Sequence, residues 1–358
     1  MRELTIDGRR IADDTPCYVI AEIGHNHQGS LENAKDLFRA AHEAGVDAVK
    51  LQKRDNRRLF TRALYESPYD NENSFGSTYG EHREALELGP AEFRELRDYA
   101  TELGLVFFAT AFDERSADLL EELDLPAYKI ASGDLRNTPL LRHVASFGKP
   151  LIVSTGGAAL EDVDRALETV LPLNSEVCVL QCTAAYPAAV EELELGVITT
   201  FRERYPDVVV GLSDHQDGIA MALVAYMLGA RLIEKHFTLS HAAKGTDHAF
   251  SLMPEGMRKL VRDLSRIPAA IGDGVKRPLA SEAKPLEKMG KKLVAARALP
   301  AGHVLGQGDL VSKSPADEGL APYRLDELLG GTLVRELVED EAILVADVAR
   351  APQAAQAR

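Results

Sequence analysis

The chain has 358 residues, 45% hydrophobic and 27% charged, an ordinary globular composition with room for one large domain and one small one. Its formal net charge of −15 weighs against nucleic acid and anionic membrane as partners. No apolar N-terminal segment and no apolar run of about 18 residues is present, so neither export nor a membrane span is expected; three cysteines without a CxxC motif fit a reducing cytoplasm.

From residue 18 to about 270, short apolar runs alternate with segments of helical period. The expected strands are YVIAEI (18–23), AVKLQ (48–52), VFFAT (106–110), AYKIAS (127–132), PLIVST (150–155), EVCVLQCT (176–183), VVVGLS (208–213) and RLIEKH (231–236). Helices are expected over 31–44, 91–103, 114–123, 138–147, 161–171, 193–205, 219–228 and 254–271. Eight strand–helix pairs over ~250 residues predict an α/β fold, a (β/α)8 TIM barrel. A doubly wound sheet is the alternative, but no GxGxxG turn marks its switch point. Cys178 and Cys182 fall on the sixth strand and are expected to be inert packing.

One connection is long. Residues 53–84, between the second strand and its helix, are polar and aromatic. Loops of this length are functional or disordered, and the Tyr, Phe and Asn content predicts an ordered lid over the barrel mouth. A solvated surface is the plainer reading of its Arg and Lys. The barrel is expected to occupy 1–272. A charged, proline-punctuated stretch over 273–292 reads as a linker. Alternating segments at 294–313 and 333–348 predict a small β-rich module over 293–350, and the tail 351–358 is expected to be disordered.

Function in such a barrel belongs to the C-terminal strand ends. These carry Glu22, His25, Asn26, His27, Lys50, Gln52, Thr110, Lys129, Ser132, Asp134, Ser154, Thr155, Gln181, Thr183, Tyr186, Ser213, Asp214, His215, Glu234 and His236. Neighbouring parallel strands lie ~4.8 Å apart, so His215 and His236 are placed to share a metal ion. Imidazole suits Mn, Fe, Co, Ni and Zn alike, and the residues do not choose among them. A pair of structural histidines is the bland alternative. Lys50 and Lys129 interrupt apolar strands, which is costly unless they are paired. With the hydroxyls of Thr110, Ser132, Ser154 and Ser213 they suit a small, doubly anionic ligand such as a phosphorylated carboxylate. The competing reading pairs each Lys with a local carboxylate.

The stretches EIGHNHQGSL, AVKLQ, ATAF, AYKIASGD, LIVSTGG, QCTAAYP, GLSDH, EKHFTL and KGTDH run in order along the chain. Together they resemble the sialic acid synthases, the phosphoenolpyruvate-dependent N-acetylneuraminate synthase family, over nearly the full length. The C-terminal part resembles that family's antifreeze-like (SAF) domain. The resemblance implies condensation of phosphoenolpyruvate with an open-chain N-acylated mannosamine-type aldose, with phosphate released. A synthase for a legionaminate- or pseudaminate-type acid, or one acting on a 6-phosphorylated sugar, is the nearest alternative. A metal-dependent aldolase or isomerase and a non-catalytic carbohydrate-binding protein are further ones. The implied metal is Mn2+, with Mg2+ or Co2+ as substitutes, and the implied assembly is a domain-swapped homodimer. By residue, the resemblance places phosphoenolpyruvate with Lys50, Thr110, Lys129, Ser132, Ser154 and Ser213. It places the metal on His215 and His236, the sugar near Gln52, Tyr186 and Asp247, and catalytic carboxylates at Glu22, Asp134 and Glu234. Ala184, Ser240 and Ser314 depart from residues common in that family and bear on the sugar. Arg324 is the candidate to replace a cation missing at Ser314.

Overall fold

The computed structural model describes residues 2–314 and 318–349. The chain divides into two compact units after Gly272. The expected disordered tail, 351–358, lies outside the described residues.

The first unit begins with an element absent from the sequence reading. Strands β1 (Glu3–Ile6) and β2 (Arg9–Ala12) form an antiparallel hairpin. Its turn residues Asp7 and Gly8 have φ of 47° and 76°, the positive pair that a tight two-residue hairpin requires. The Asp-Gly dipeptide was the available signal; strands of four residues are too short to show a period of their own.

Eight parallel strands follow: β3 (Tyr18–Gly24), β4 (Ala48–Lys53), β5 (Val106–Ala111), β6 (Tyr128–Ile130), β7 (Leu151–Ser154), β8 (Val177–Cys182), β9 (Val209–Asp214) and β10 (Leu232–His236). They close into a barrel in sequence order, with β10 pairing β3. The expected (β/α)8 architecture is therefore borne out. Helices lie between the strands. The first, Leu31–Ala44, buries Ala34, Leu37, Phe38, Ala41 and Ala44 along one stripe. Ser30 caps it by accepting a hydrogen bond from the Asn33 amide, and Gly45 ends it at φ 84°.

Strand alternation sorts the barrel into two cores. Val19, Ala21, Val49, Phe107, Tyr128, Val179, Val210 and Ile233 face outward onto the helices. Ile20, Ala48, Phe108, Ile152, Leu180, Val209 and Leu232 fill the interior, where Leu4, Ile6 and Ile11 of the hairpin join them. The hairpin thus plugs the N-terminal end. Two residues further along their strands, the inward positions become Glu22, Lys50, Thr110, Lys129, Ser154, Cys182 and Glu234, and in β9 the next inward position past Gly211 is Ser213. The same pleat that packs the floor delivers these groups to the mouth. Gly211 has no room for a side chain, since a Cβ there would lie 2.4 Å from the Leu232 carbonyl oxygen.

The long connection over 53–84 is ordered. It contains three short helices, Asn56–Leu59, Arg62–Tyr65 and Tyr79–Ala85, the last closed by a reciprocal cap between Thr78 and Glu81. Gly29, at φ 73°, lets the loop after β3 touch this segment; a Cβ there would sit 2.1 Å from the Ala85 carbonyl oxygen.

The second unit opens with a 3-10 turn (Ala280–Glu282) and a helix (Ala283–Met289). Two small antiparallel pairs follow: Lys292–Ala295 with Leu310–Lys313, and Thr332–Leu333 with Val348–Ala349. Leu293, Leu299, Leu305, Leu333, Leu337 and Ile343 make its core. The expected β-rich module is present.

The plug has a measurable consequence. Leu4→Ala and Ile11→Ala, at fully buried positions, should each destabilise the barrel by about 2–5 kcal/mol, the usual cost of truncating a buried Leu or Ile. Urea denaturation checks this; unchanged midpoints in both variants would show that the hairpin lies outside the cooperative core.

Candidate active site

A cavity of about 410 Å³ opens at the C-terminal ends of the barrel strands. Of the fourteen residues given a role from the sequence, thirteen line it and Asp134 does not; of the other strand-end candidates His25 and Asn26 line it, while His27, Thr155, Gln181, Thr183 and Asp214 do not. Asp134 sits on a 3-10 turn (Ser132–Asp134), where its carboxylate accepts a hydrogen bond from the Asn137 amide group.

The deepest layer is ionic. The Lys50 ammonium lies 2.5 Å from Glu22 Oε2 and 3.9 Å from Glu234 Oε2. It also donates to Thr110 Oγ1 at 2.8 Å. Lys129 donates to Ser154 Oγ at 2.6 Å and to the Ile130 carbonyl at 3.0 Å. No carboxylate is in contact with it among the described residues. Ser213 donates to Glu234 Oε1 at 3.1 Å. Ser132 accepts the Gly156 amide at 2.9 Å. Lys50 and Lys129 are 2% and 3% exposed, so water offsets little of their charge.

The two carboxyls are driven apart. Burial raises the Glu22 pKa, and Lys50 only partly opposes it. Burial also acts on Glu234, but the Lys129 and Lys50 ammoniums outweigh it and hold that carboxyl below its usual value. Burial depresses Lys129 as well. Such divergence between neighbouring titratable groups is how a site separates an acid–base group from a permanently charged one.

At the ends of β9 and β10 the rings of His215 and His236 have centroids 5.2 Å apart. Burial lowers both pKa values, His215 to about 4, so both imidazoles are neutral and have a lone pair to offer. His215 Nδ1 donates to the Thr183 carbonyl at 2.8 Å, which leaves Nε2 as the free acceptor. His236 Nδ1 is buried and has no hydrogen-bond partner, with Asp247 Oδ2 3.6 Å away. These features fit a divalent ion. Among the described residues no group of three or more His, Cys, Asp or Glu surrounds a single point, so such an ion would keep most of its coordination for water or substrate. Tyr186 stacks on His215 at 4.2 Å and leaves about half its surface exposed.

The sequence reading expected the long connection to cover the mouth but named none of its side chains as part of the site. Arg54 enters the site 8% exposed, its guanidinium 3.7 Å over the Phe112 ring. It donates to Gln52 Oε1 at 2.6 Å and lies 2.8 Å from His25 Nε2. Gln52 in turn donates to Glu22 Oε1 at 2.7 Å. His82, Arg83 and Phe75 of the same segment line the cavity, as do Lys244 and Thr246 from the loop after β10. Within KRDNRR nothing distinguishes the buried Arg54 from its exposed neighbours Arg57 and Arg58. Cys182, expected to be inert packing, also lines the cavity, with its thiol 3.5 Å from Ser132 Oγ. In the second unit Arg324 is held by Glu327 at 2.8 Å.

Residues 37–276 match the model of the NeuB family, and residues 292–349 match that of the SAF domain. The chain is 39% identical to N-acetylneuraminate-9-phosphate synthase from Homo sapiens over 94% of each chain. It is 35% identical to N,N'-diacetyllegionaminic acid synthase from Campylobacter jejuni, over 91% of this chain and 98% of that one. A solved N-acetylneuraminic acid synthetase from Leptospira borgpetersenii superposes with a TM-score of 0.69 at 30% identity, covering 80% of this chain and 95% of the other. The chain belongs to the NeuB family.

The ionic layer should behave as a coupled pair. Lys50→Met strands two buried carboxyls and should cost about 3–5 kcal/mol, the range for breaking a buried ion pair. Adding Glu22→Gln should recover part of that loss. A denaturation double-mutant cycle reads the coupling; strictly additive effects would show that the two groups do not depend on each other.

Proposed function

We propose that this member of the NeuB family joins phosphoenolpyruvate to an open-chain N-acylated mannosamine-type aldose, giving a nonulosonic acid and inorganic phosphate. The carrying observation is the charge of the cavity. Its lining holds Lys50, Arg54, Arg83, Lys129 and Lys244 against Glu22, Glu234 and Asp247. This is a cationic pocket in a chain of net charge −15, suited to an anionic substrate.

In this reading phosphoenolpyruvate lies against Lys50 and Lys129, with Thr110, Ser132, Ser154 and Ser213 as neutral donors to its phosphate and carboxylate. The sugar lies toward Gln52, Tyr186 and Asp247. Carbon 3 of the enol attacks the aldehyde carbon, and the aldehyde oxygen takes up a proton to become a hydroxyl. Water adds to carbon 2 and gives up a proton. The bond from carbon 2 to the bridging oxygen then breaks, phosphate leaves with that oxygen, and the carbon-2 hydroxyl passes its proton to the departing phosphate as it becomes the ketone, so the proton taken by the aldehyde oxygen is balanced by the one given up by water. Glu22, with its raised pKa and its link to Gln52, is suited to both transfers. Glu234, held ionised beside Lys129, stabilises the positive charge that develops at carbon 2. His215 and His236 would hold a divalent ion, proposed as Mn2+, which when bound polarises the aldehyde.

We further propose a homodimer in which the small unit of one copy completes the other's site, and a cytoplasmic location. The three described cysteines are free and buried, as a reducing compartment permits. Sedimentation at micromolar protein tests the assembly; a monomer under turnover conditions would rule the dimer out.

Phosphate release from phosphoenolpyruvate should require an N-acylated mannosamine-type aldose and a divalent ion. His215→Ala and His236→Ala should each abolish Mn2+ binding in calorimetry while leaving the circular dichroism spectrum intact. Normal Mn2+ affinity in either variant would remove that residue from the metal site, and an absence of phosphate release with every such aldose would overturn the reaction.

A further inference from the structure

Glu22 is held at both of its oxygens. The Lys50 ammonium lies 2.5 Å from Oε2, and the Gln52 amide donates to Oε1 at 2.7 Å. The two holders differ in freedom. Lys50 sits inside the barrel and is fixed in turn by Thr110 Oγ1 at 2.8 Å. Gln52 lies near the end of β4, where its amide could turn over and present its carbonyl oxygen to Glu22 instead. Two acceptor oxygens would then face each other. The backbone leaves room for the bond that is made: a Cβ at Gly24, at φ 55°, would lie 3.2 Å from both Gln52 Nε2 and Glu22 Oε1.

Arg54 selects between the two orientations. A guanidinium only donates, so the atom of Gln52 that faces it at 2.6 Å must be the carbonyl oxygen, and the amide nitrogen is turned to Glu22. Arg54 is itself pinned from several sides. Its guanidinium lies 3.7 Å over the Phe112 ring, and the Phe112 amide donates to the Lys53 carbonyl at 3.2 Å, which keeps that ring beside β4. Glu87 Oε2 accepts the Arg54 backbone N–H at 3.3 Å and the Lys53 ammonium at 2.9 Å. Arg54 Nη1 lies 2.8 Å from His25 Nε2. Burial, then the Arg54 charge, lowers the His25 pKa well below its usual value, so the ring is neutral and this nitrogen accepts. One face and both terminal nitrogens of the guanidinium are thus engaged by the protein. Lys129, in contrast, contacts only a hydroxyl and a backbone carbonyl.

We propose that Arg54 is a positioning residue for the bond-forming step, acting through the Gln52 amide to set the orientation of the Glu22 carboxyl and not by contact with either substrate. A lysine would not serve. It has one nitrogen, whereas His25 and Gln52 are reached by two separate arms of the guanidinium fork. The inference rests on the condensation proposed above and adds a residue that stands behind the reacting groups.

The test is steady-state phosphate release from phosphoenolpyruvate under Mn2+, with saturating N-acetylmannosamine or its 6-phosphate, whichever the unaltered protein turns over faster. Arg54→Met should lower kcat by roughly 10- to 100-fold, the scale of a misplaced reacting group, and leave the KM for phosphoenolpyruvate near that of the unaltered protein. Gln52→Met should lower kcat comparably. Adding Arg54→Met to it should then cost little more, because the link to Glu22 is already cut. Arg54→Lys keeps the charge and should lose kcat as the Met variant does; it carries the comparison if the Met variant does not fold. A raised KM for phosphoenolpyruvate at unchanged kcat would make Arg54 a substrate-binding cation and overturn the proposal. Losses that multiply in the double variant would show that Arg54 does not act through Gln52. Full activity in Arg54→Lys would show that charge alone suffices. No phosphate release by the unaltered protein would instead remove the reaction on which the inference rests.

Discussion

Four ionisable side chains share one layer inside the barrel, and the rest of the site follows from their mutual neutralisation. Glu22, Lys50, Lys129 and Glu234 are each at most 4% exposed. An isolated charge at that depth would cost several kcal/mol, so none of them is tolerable alone. Lys50 touches Glu22 and approaches Glu234, while Lys129 leans on a hydroxyl and a backbone carbonyl. The layer is thus satisfied on one side and cationic on the other. The dianion proposed as substrate would complete what Lys129 lacks. This gives a physical reason why such a site can be stable when empty and still suit the highly charged substrate proposed for it.

The layer can exist only because the barrel is sealed beneath it. Strand alternation commits every second residue to the interior, and the hairpin fills the lower end with Leu4, Ile6 and Ile11. The cavity opens at the opposite, C-terminal end. There the long connection intervenes. Arg54 fixes Gln52, and Gln52 fixes Glu22, so a loop residue governs the orientation of a carboxyl rooted in the first barrel strand. Chemistry rests on rigid strands and is adjusted from above by the loop, the division expected when reacting groups must be held to within a fraction of an ångström.

Much of this was legible in the sequence because periodicity and position carried it. Eight apolar runs at regular spacing specify the barrel, and polar residues at their C-terminal ends specify the face. Lys50 and Lys129 stood out because lysine inside an apolar run demands a reason. The hairpin was missed because four-residue strands have no detectable period, although Asp7-Gly8 marked its turn. Arg54 was missed because burial is not written in a charge run: KRDNRR holds one buried arginine and two exposed ones, and Arg54 is set apart by its contacts with His25, Gln52 and Phe112, the last more than fifty residues away. Asp134 was drawn in by its place after Ser132. On a 3-10 turn, however, adjacent residues point in different directions, and Asn137 takes its carboxylate.

The two ends of the cavity differ in how their charges are held, and the difference bears on selectivity. At the floor the cations touch carboxylates and hydroxyls on neighbouring strands, where register sets each distance. At the rim Arg83 and Lys244 rest on aromatic rings carried by loops. A strand-borne ammonium cannot move without breaking the barrel ladder, so the floor should accept one ligand geometry and reject others. A loop-borne guanidinium can shift by a rotamer at little cost, so the rim should tolerate variation in the length and substituents of the proposed sugar. A permissive rim above a geometrically fixed floor would let one barrel keep the proposed bond-forming chemistry fixed while the acceptor changes. The determinants of the proposed sugar should therefore be sought in the loops at 53–84 and 240–250, not among the strand residues to which the bond-forming step is assigned.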